Sequence, residues 1–456
     1  MSRERSLAKN TLILSIGAFF PKLVSIITLP ILTGVLTKNE YGSYDLIVTL
    51  ASLFLPIITL QIQSAAFRFL IDARKDQKTV NAIISNIMAF TIPVSVAGLI
   101  VLYLFIPGIP AFTKLLVCAY YFFDILYVSL QQVTRGLSYH IYYSISAIVL
   151  SLLNLLSILL FVSKFLMGLN GILISLIVSY AAATLFLSFK IRNKWTFTFS
   201  LVSLTELKHM LSYSWPMVFN NLSSWILRLS DRLIITLFLG VRANAIYAVA
   251  CKIPNLLLIA QSTFTMAWHE NAVIASKDED AANYYSKMYD YIFSIIAGIT
   301  ALLIAATPVL FHFLVRGSYD EAYKQMPLLF IGTMFCCLSA FQGGIYVAYS
   351  KTKDVGLTTA AAAVINLLIN LLLVKEIGIT AASVATLISY FALTAFRMHD
   401  LQKIIHVEYQ YVKNISVSFI LTGICILSAV NSLYMNILNA VIALILCGIL
   451  VVTQKK

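Results

Sequence analysis

Long apolar runs separated by short polar ones set the pattern of this chain. A helix needs about 20 mostly apolar residues to cross a bilayer. The sequence offers fourteen such runs: 11–36, 46–70, 82–106, 114–133, 141–163, 169–189, 212–239, 244–271, 290–314, 326–349, 356–374, 378–396, 414–430 and 436–453. They are too long for strands and do not alternate with period two. The first run is too long for the apolar region of a signal peptide and no small-residue cleavage site follows it, so it is expected to stay as a helix. The pattern predicts an all-α polytopic membrane protein of about fourteen transmembrane helices.

A repeat groups these runs. Residues 169–180 read LNGILISLIVSY and residues 379–390 read ITAASVATLISY, ending in the same pair, Ser179-Tyr180 and Ser389-Tyr390. Asn154 in SLLNLLSILL has its counterpart in Asn366 of VINLLINLLL. Six spans per repeat is an even number, so both halves enter the membrane in the same orientation. The expected organisation is two pseudo-symmetric six-helix lobes, 1–189 and 212–396, joined by a cytoplasmic linker at 190–211. Two C-terminal helices follow within 397–456. Such a parallel repeat predicts a substrate chamber between the lobes. The linker, with its WTFTFS start and its Glu206-Leu207-Lys208-His209 tail, reads as an amphipathic surface segment.

Composition agrees with this pattern. The chain is 60% hydrophobic and 11% charged, where a soluble domain keeps about a quarter of its residues charged. Its net charge of +13 belongs mostly to loops, so nucleic-acid binding is not indicated. Arg3, Arg5, Lys9, Arg74, Lys75, Lys78, Arg135, Lys190, Arg192, Lys194, Arg397, Lys403 and Lys413 crowd the loops on the side of the N-terminus. The other side is sparse, with Lys38, Lys114 and Lys164 among its few cations. This bias predicts a plasma membrane protein with both termini in the cytoplasm. The six cysteines all fall in apolar runs and read as small core residues. No histidines are paired at metal-ligand spacing, so no metal site is expected.

The candidate chemistry lies in charges within the apolar runs. Lys22, Arg68, Arg228, Arg232 and Lys252 are basic; Asp124, Asp231 and Glu270 are acidic. A charge at membrane depth normally faces a polar cavity or a partner, and an excess of cations predicts a chamber that receives an anion. Arg228, Asp231 and Arg232 share one helical face. Asp231 is expected to orient an arginine or to relay H+ or Na+. Matching Tyr44 of EYGSY (40–44) to Tyr247 of NAIYA (244–248) sets Arg228 on the position of Ser25, one turn from Lys22 on the same face. Lys252 is expected to face the chamber, while Arg68 reads equally well as a chamber residue or as a lipid-headgroup contact. Asp124 is a candidate for a coupling ion, or the partner of Lys22 or Arg135. Asn220 and Asn221 are candidate sugar contacts, although such residues more often join helices. No nucleotide-binding loop, zinc-protease motif or nucleophile elbow occurs, so the chain reads as a transporter without an enzymatic cofactor.

Two stretches resemble a known family. Residues 7–50 carry an Ala-Lys-Asn start and a Leu36-Thr37-x-x-Glu40-Tyr41-Gly42-x-Tyr44 turn, and Arg68-Phe69 closes the next run. Residues 212–255 carry Trp215-Pro216, Ser230-Asp231-Arg232 and an Ala245-x-Tyr247 turn, where Gly-x-Tyr is usual. These features resemble bacterial Wzx-type polysaccharide repeat-unit flippases of the multidrug/oligosaccharidyl-lipid/polysaccharide exporter superfamily. The resemblance implies transfer of undecaprenyl-diphosphate-linked oligosaccharide, for O-antigen, capsule or exopolysaccharide, from the cytoplasmic to the outer leaflet by alternating access. It implies membrane lipid, a polysaccharide polymerase and the chain-length machinery as partners. It also places Arg228, Asp231 and Arg232 on the family motif. A cation-coupled drug or small-solute exporter is the first alternative, but such a protein is expected to have mainly acidic chamber groups. A membrane polysaccharide polymerase is the second, but it is expected to have a large outer loop, and the loops here are short.

Overall fold

The computed structural model describes residues 3–105, 108–194 and 196–454, and every regular element among them is helical. The side chains of residues 3–12 and of Glu270, and the whole of Trp195, lie outside this description. The first half contains α1 (Arg3–Val35), α2 (Lys38–Thr59), α3 (Ile62–Ala73), α4 (Gln77–Phe105), α5 (Ala111–Gly136), α6 (His140–Ser157) and α7 (Gly168–Ile191). A π-helical turn, Ile158–Lys164, extends α6. The second half contains α8 (Leu204–Leu239), α9 (Val241–Lys252), α10 (Leu256–Ala275), α11 (Ala281–Leu314), α12 (Asp320–Ala348), α13 (Thr352–Ile377), α14 (Thr380–Leu401), α15 (Tyr411–Val430) and α16 (Leu433–Gln454). All the expected runs are mainly helical within the described residues, although two of them break; the end of the run 82–106 falls outside these residues.

Twelve segments among the described residues are long and apolar enough to cross a membrane, so the protein is a multi-pass membrane protein. The two remaining expected spans are exceptional for physical reasons. The run 212–239 lies in α8 and carries Arg228, Asp231 and Arg232. The run 244–271 breaks beside Pro254 into α9 and α10, because proline removes a backbone donor and clashes with the preceding turn. A second expected helix, 46–70, also breaks. Leu60 and Gln61 take left-handed φ values of 47° and 58°, which ends α2 and restarts the chain as α3. The Ser214 hydroxyl donates to the freed Leu60 carbonyl at 2.9 Å.

The chain forms two compact units, Met1–Leu222 and Ser223–Lys456. The division falls inside α8. In the first unit, α1 packs on α6, and α5 packs on α7 and α3. Gly17 makes the first pairing possible, since a Cβ there would stand 2.6 Å from Ser144 Oγ. An apolar cluster of α3, α4, α5 and α7, including Ile62, Leu70, Ile84, Val133 and Leu187, fills this unit and takes in Met210 from the start of α8. In the second unit α12 is the most enclosed helix, with α9, α10, α11, α14 and α15 against it.

The repeat is visible in backbone detail. Ser138 after α5 and Ser350 after α12 both have positive φ, 66° and 59°. The bonds Leu137 N–H to Val133, Ser138 N–H to Arg135 and Tyr139 N–H to Thr134 recur as Tyr349 to Ile345, Ser350 to Val347 and Lys351 to Tyr346. Gly168 and Gly378 open α7 and α14 with φ of 56° and 62°. Ser179 and Ser389, the paired residues of the sequence repeat, each donate to the carbonyl four residues earlier, on Ser175 and Ala385.

The turn after α1 is a capping box. The Thr37 hydroxyl accepts from the Glu40 N–H at 3.2 Å, and the Thr37 N–H donates to Glu40 Oε2 at 2.9 Å. A Cβ at Gly168 would fall 2.0 Å from Glu40 Oε1, whereas at Gly378 it would meet nothing within 4 Å. Gly168→Ala is therefore expected to cost about 2 kcal/mol, a left-handed alanine plus a disturbed cap. At Gly378, with φ 62° and ψ −139°, an alanine would meet no neighbour but would enter backbone space almost reserved for glycine, at about 1–3 kcal/mol. The melting temperature of purified Gly168→Ala against wild type checks the loss at the capped turn.

Candidate functional site

The Arg228, Asp231 and Arg232 face lies in the part of α8 that belongs to the second unit. Asp231 is 2% exposed. Three helices bring it donors. The Tyr247 hydroxyl of α9 reaches Oδ2 at 2.7 Å, the Thr386 hydroxyl of α14 reaches Oδ2 at 2.9 Å, and Asn370 Nδ2 of α13 reaches Oδ1 at 2.7 Å. Arg232, half-buried one residue on, interacts with the same carboxylate. A buried carboxylate is tolerated when paired and hydrogen-bonded in this way. The two parts of the sequence motif thus meet: Ser-Asp-Arg supplies the acceptor, and the tyrosine of Ala245-Ile246-Tyr247 supplies a donor.

Arg228, one turn before Asp231, is different. It is exposed, and the Tyr390 hydroxyl and the Cys336 thiol lie near its guanidinium. Its neighbour Leu227 turns into an apolar cluster with Cys336, Ala362 and Tyr390. A guanidinium has five N–H donors in a fixed fork, so Tyr390 can fix its orientation while the rest of the fork stays open to a ligand. Lys252 is half-buried as the last residue of α9, where the helix dipole favours a cation. Asn220 and Asn221 are exposed and precede the division of α8, so they belong to the first unit. Asn221 Nδ2 bonds back to the Met217 carbonyl at 3.0 Å.

In the first unit, Lys22 is half-buried on α1 beside Pro21. Asp124 is half-buried on α5 among the rings of Tyr120, Tyr121, Tyr127 and Tyr180. Tyr180 makes edge contacts with Tyr120 and Tyr127, both at 5.5 Å between ring centres. Among the described residues no side chain donates a hydrogen bond to Asp124. Arg68 is exposed and pairs with Asp72 at 2.6 Å. Arg135, one suggested partner of Asp124, lies over the Phe67 ring at 4.5 Å.

Three charged residues take positions that hydropathy did not indicate, two of them buried and one half-buried. Arg397, counted among the loop cations, is 3% exposed at the end of α14. It donates to the carbonyls of Ser339 and Val355 at 2.7 and 3.2 Å and to the hydroxyls of Thr358 and Thr359 at 2.9 and 3.0 Å. Lys413, also counted with the loops, pairs with Asp290 at 2.8 Å and fastens α15 to α11. Asp45 is buried on α2. Length and hydropathy assign a charge near a helix end to the loop, so only contacts could find these.

Removing the Asp231 carboxylate strands three buried donors, each costing about 1–3 kcal/mol. Asp231→Ala is expected to destabilise the fold by about 3 kcal/mol or more, and Arg228→Ala by less than about 1 kcal/mol, as for other exposed positions. Thermal unfolding of detergent-solubilised protein checks the contrast.

Known proteins share this architecture. The lipid II flippase MurJ in its inward closed conformation superimposes with a TM-score of 0.72 over 96% of this chain and 98% of that one, at 12% identity. An inward-facing multidrug resistance MATE family transporter of the MOP superfamily gives 0.66 over 84% and 98%, at 13% identity. A MOP superfamily transporter from Pyrococcus furiosus gives 0.58 over 87% and 95%, at 12% identity. At these identities the likeness is one of fold. In sequence, an uncharacterized membrane protein of Methanocaldococcus jannaschii is 25% identical over 247 residues, 53% of this chain and about half (48%) of that protein. The family model described as polysaccharide biosynthesis protein matches residues 7–269, and the chain belongs to that family.

Proposed function

We propose that this protein is a flippase that moves undecaprenyl-diphosphate-linked oligosaccharide repeat units from the cytoplasmic to the outer leaflet of the plasma membrane, for surface polysaccharide biosynthesis. Both termini are cytoplasmic, and a polymerase with its chain-length machinery takes the product. The observation that carries this reading is Arg228, an exposed guanidinium within a helix of a polysaccharide biosynthesis family member, steadied by Tyr390. A diphosphate is recognised by such a fork through paired charge-assisted hydrogen bonds. Arg232, Lys22 and Lys252 supply further positive potential, and Arg68 serves the headgroup as it arrives. Asn220 and Asn221, both exposed, contact sugar hydroxyls.

The driving ion, H+ or Na+, binds at Asp231 in this reading. Each of its three partners has an oxygen as well as a donor. The hydroxyls of Tyr247 and Thr386 can rotate, and the Asn370 amide can turn to present its carbonyl, whose oxygen takes no other hydrogen bond among the described residues. One carboxylate with three neutral oxygens suits a small hard cation. Asp124 within its tyrosines is the second titratable group for such coupling.

The test is complementation of a flippase-deficient strain at equal membrane abundance. Wild type restores surface polysaccharide, while Arg228→Ala and Lys22→Ala accumulate lipid-linked repeat units on the inner leaflet. Arg228→Lys retains part of the activity, since a lysine keeps the charge and loses the fork. Full activity of Arg228→Ala would falsify the assignment of the diphosphate contact. For the ion, replacing potassium by sodium should raise the melting temperature of the wild type but not of Asp231→Asn. If sodium has no effect on the wild type, the driving ion is H+ and Asp231→Asn loses the pH dependence of transport. Transport by Asp231→Asn with unchanged dependence on both ions removes Asp231 from coupling.

A further inference from the structure

The segment between α7 and α8 has two unlike sides. On one side its backbone is fixed to α4. Thr196 N–H donates to Asn81 Oδ1 at 3.0 Å, and Thr198 N–H donates to Ser85 Oγ at 3.0 Å. Asn86 takes the Ser203 N–H at 2.8 Å and gives its own amide to the Leu201 carbonyl at 3.1 Å. These three side chains occupy one face of α4, so the segment is an ordered strap and not a free linker. Beyond it, Leu207 and Met210 enter the apolar cluster of the first unit.

The other side is apolar and uncovered. Phe199 is 81% exposed and Leu204 76% exposed, with Phe197 and Val202 also open. Phe197 and Phe199 lie edge to face at 4.7 Å, on the same side. The segment follows α7, a membrane span on which Leu185 and Phe189 are exposed. Cations flank it along the chain. Arg192 lies over the Phe189 ring at 4.2 Å, and Lys190 lies 5.9 Å from the rings of Tyr142 and Phe186. Lys208, Arg74, Lys75 and Lys78 are exposed in the same stretches of chain. The acids there are fewer. Asp76 is held by the Lys78 N–H and the Thr79 hydroxyl, Asp72 is paired with Arg68, and Glu206 is exposed.

We propose that residues 196–208 form an interfacial foot that binds anionic phospholipid. Phe197, Phe199, Val202 and Leu204 sink to the level of the glycerol backbone, while Arg192 and Lys208 bind headgroup phosphates. An exposed apolar segment that follows a spanning helix and is flanked in sequence by cations has the chemistry of an interfacial segment. A soluble partner would need acids matching the cations and would meet aromatic side chains at the height where α7 leaves the bilayer. The inference stands apart from the transported substrate, and its test needs no transport.

The full chain carrying a photo-crosslinking benzoylphenylalanine at position 199 is placed in nanodiscs of equal parts phosphatidylglycerol and phosphatidylcholine, then irradiated. Expected are lipid adducts enriched in phosphatidylglycerol, by about fivefold for each cation that contributes about 1 kcal/mol. Arg192→Gln with Lys208→Gln should bring the ratio towards one while adduct formation persists. Asn86→Ala should release the strap and lower all adducts. Irradiation without lipid adducts, adducts to a protein when native membranes are used, or equal labelling of both lipids by the unmodified cation set overturns the proposal. Because position 199 is exposed, loss of folding is not expected to intervene, and a normal melting curve verifies this.

Discussion

A carboxylate buried in a bundle costs least when donors meet it, and Asp231 is met by three, each from a different helix. That requirement fixes more than one side chain. It holds α9, α13 and α14 at set distances from α8, and any rearrangement that parts one of them from α8 leaves a donor or the acid without a partner. Apolar packing alone tolerates sliding, because one methyl contact replaces another at little cost. Hydrogen bonds to an ionised group do not, since their length and direction are restricted. The helix that carries Asp231 is therefore the geometric reference for much of the second unit.

The basic residues illustrate how context decides what a charge does. Arg397 has its fork filled by two carbonyls and two threonine hydroxyls, and it knits α12, α13 and α14 together at their ends. Lys413 is committed to Asp290. Arg68 has a local carboxylate and open surroundings. Arg228 combines exposure with neutral neighbours, Tyr390 and Cys336, which leaves its electrostatic potential available. These four residues have the same formal charge and very different capacity to bind an anion.

Much of the architecture can be read from the sequence, because apolar length dictates spans and the paired Ser-Tyr motifs report the duplication. The breaks are harder. Pro254 signals one of them, but nothing in the residues Leu60-Gln61 announces two consecutive left-handed conformations. The support there comes from Ser214, distant in sequence. Thr37-x-x-Glu40 is a legible capping box that hydropathy alone passes over. Within the site, helical spacing sets Arg228, Asp231 and Arg232 on one face, but it cannot tell the engaged acid from the exposed cation. That distinction depends on Tyr247, Asn370, Thr386 and Tyr390, which come from other helices.

The matching helix closures at Ser138 and Ser350 also supply a ruler between the two halves of the chain. The register that pairs these serines pairs Asp124 with Cys336, and the register of Gly168 and Gly378 pairs Tyr180 with Tyr390. Each half thus keeps a tyrosine beside the same position of an equivalent helix, as an ancestral duplicate would. What has diverged is the company of that tyrosine: a carboxylic acid accompanies it in one half, and a thiol, an arginine and Asp231 accompany it in the other. Duplication has in this way kept an aromatic anchor and left the ionisable groups around it free to change.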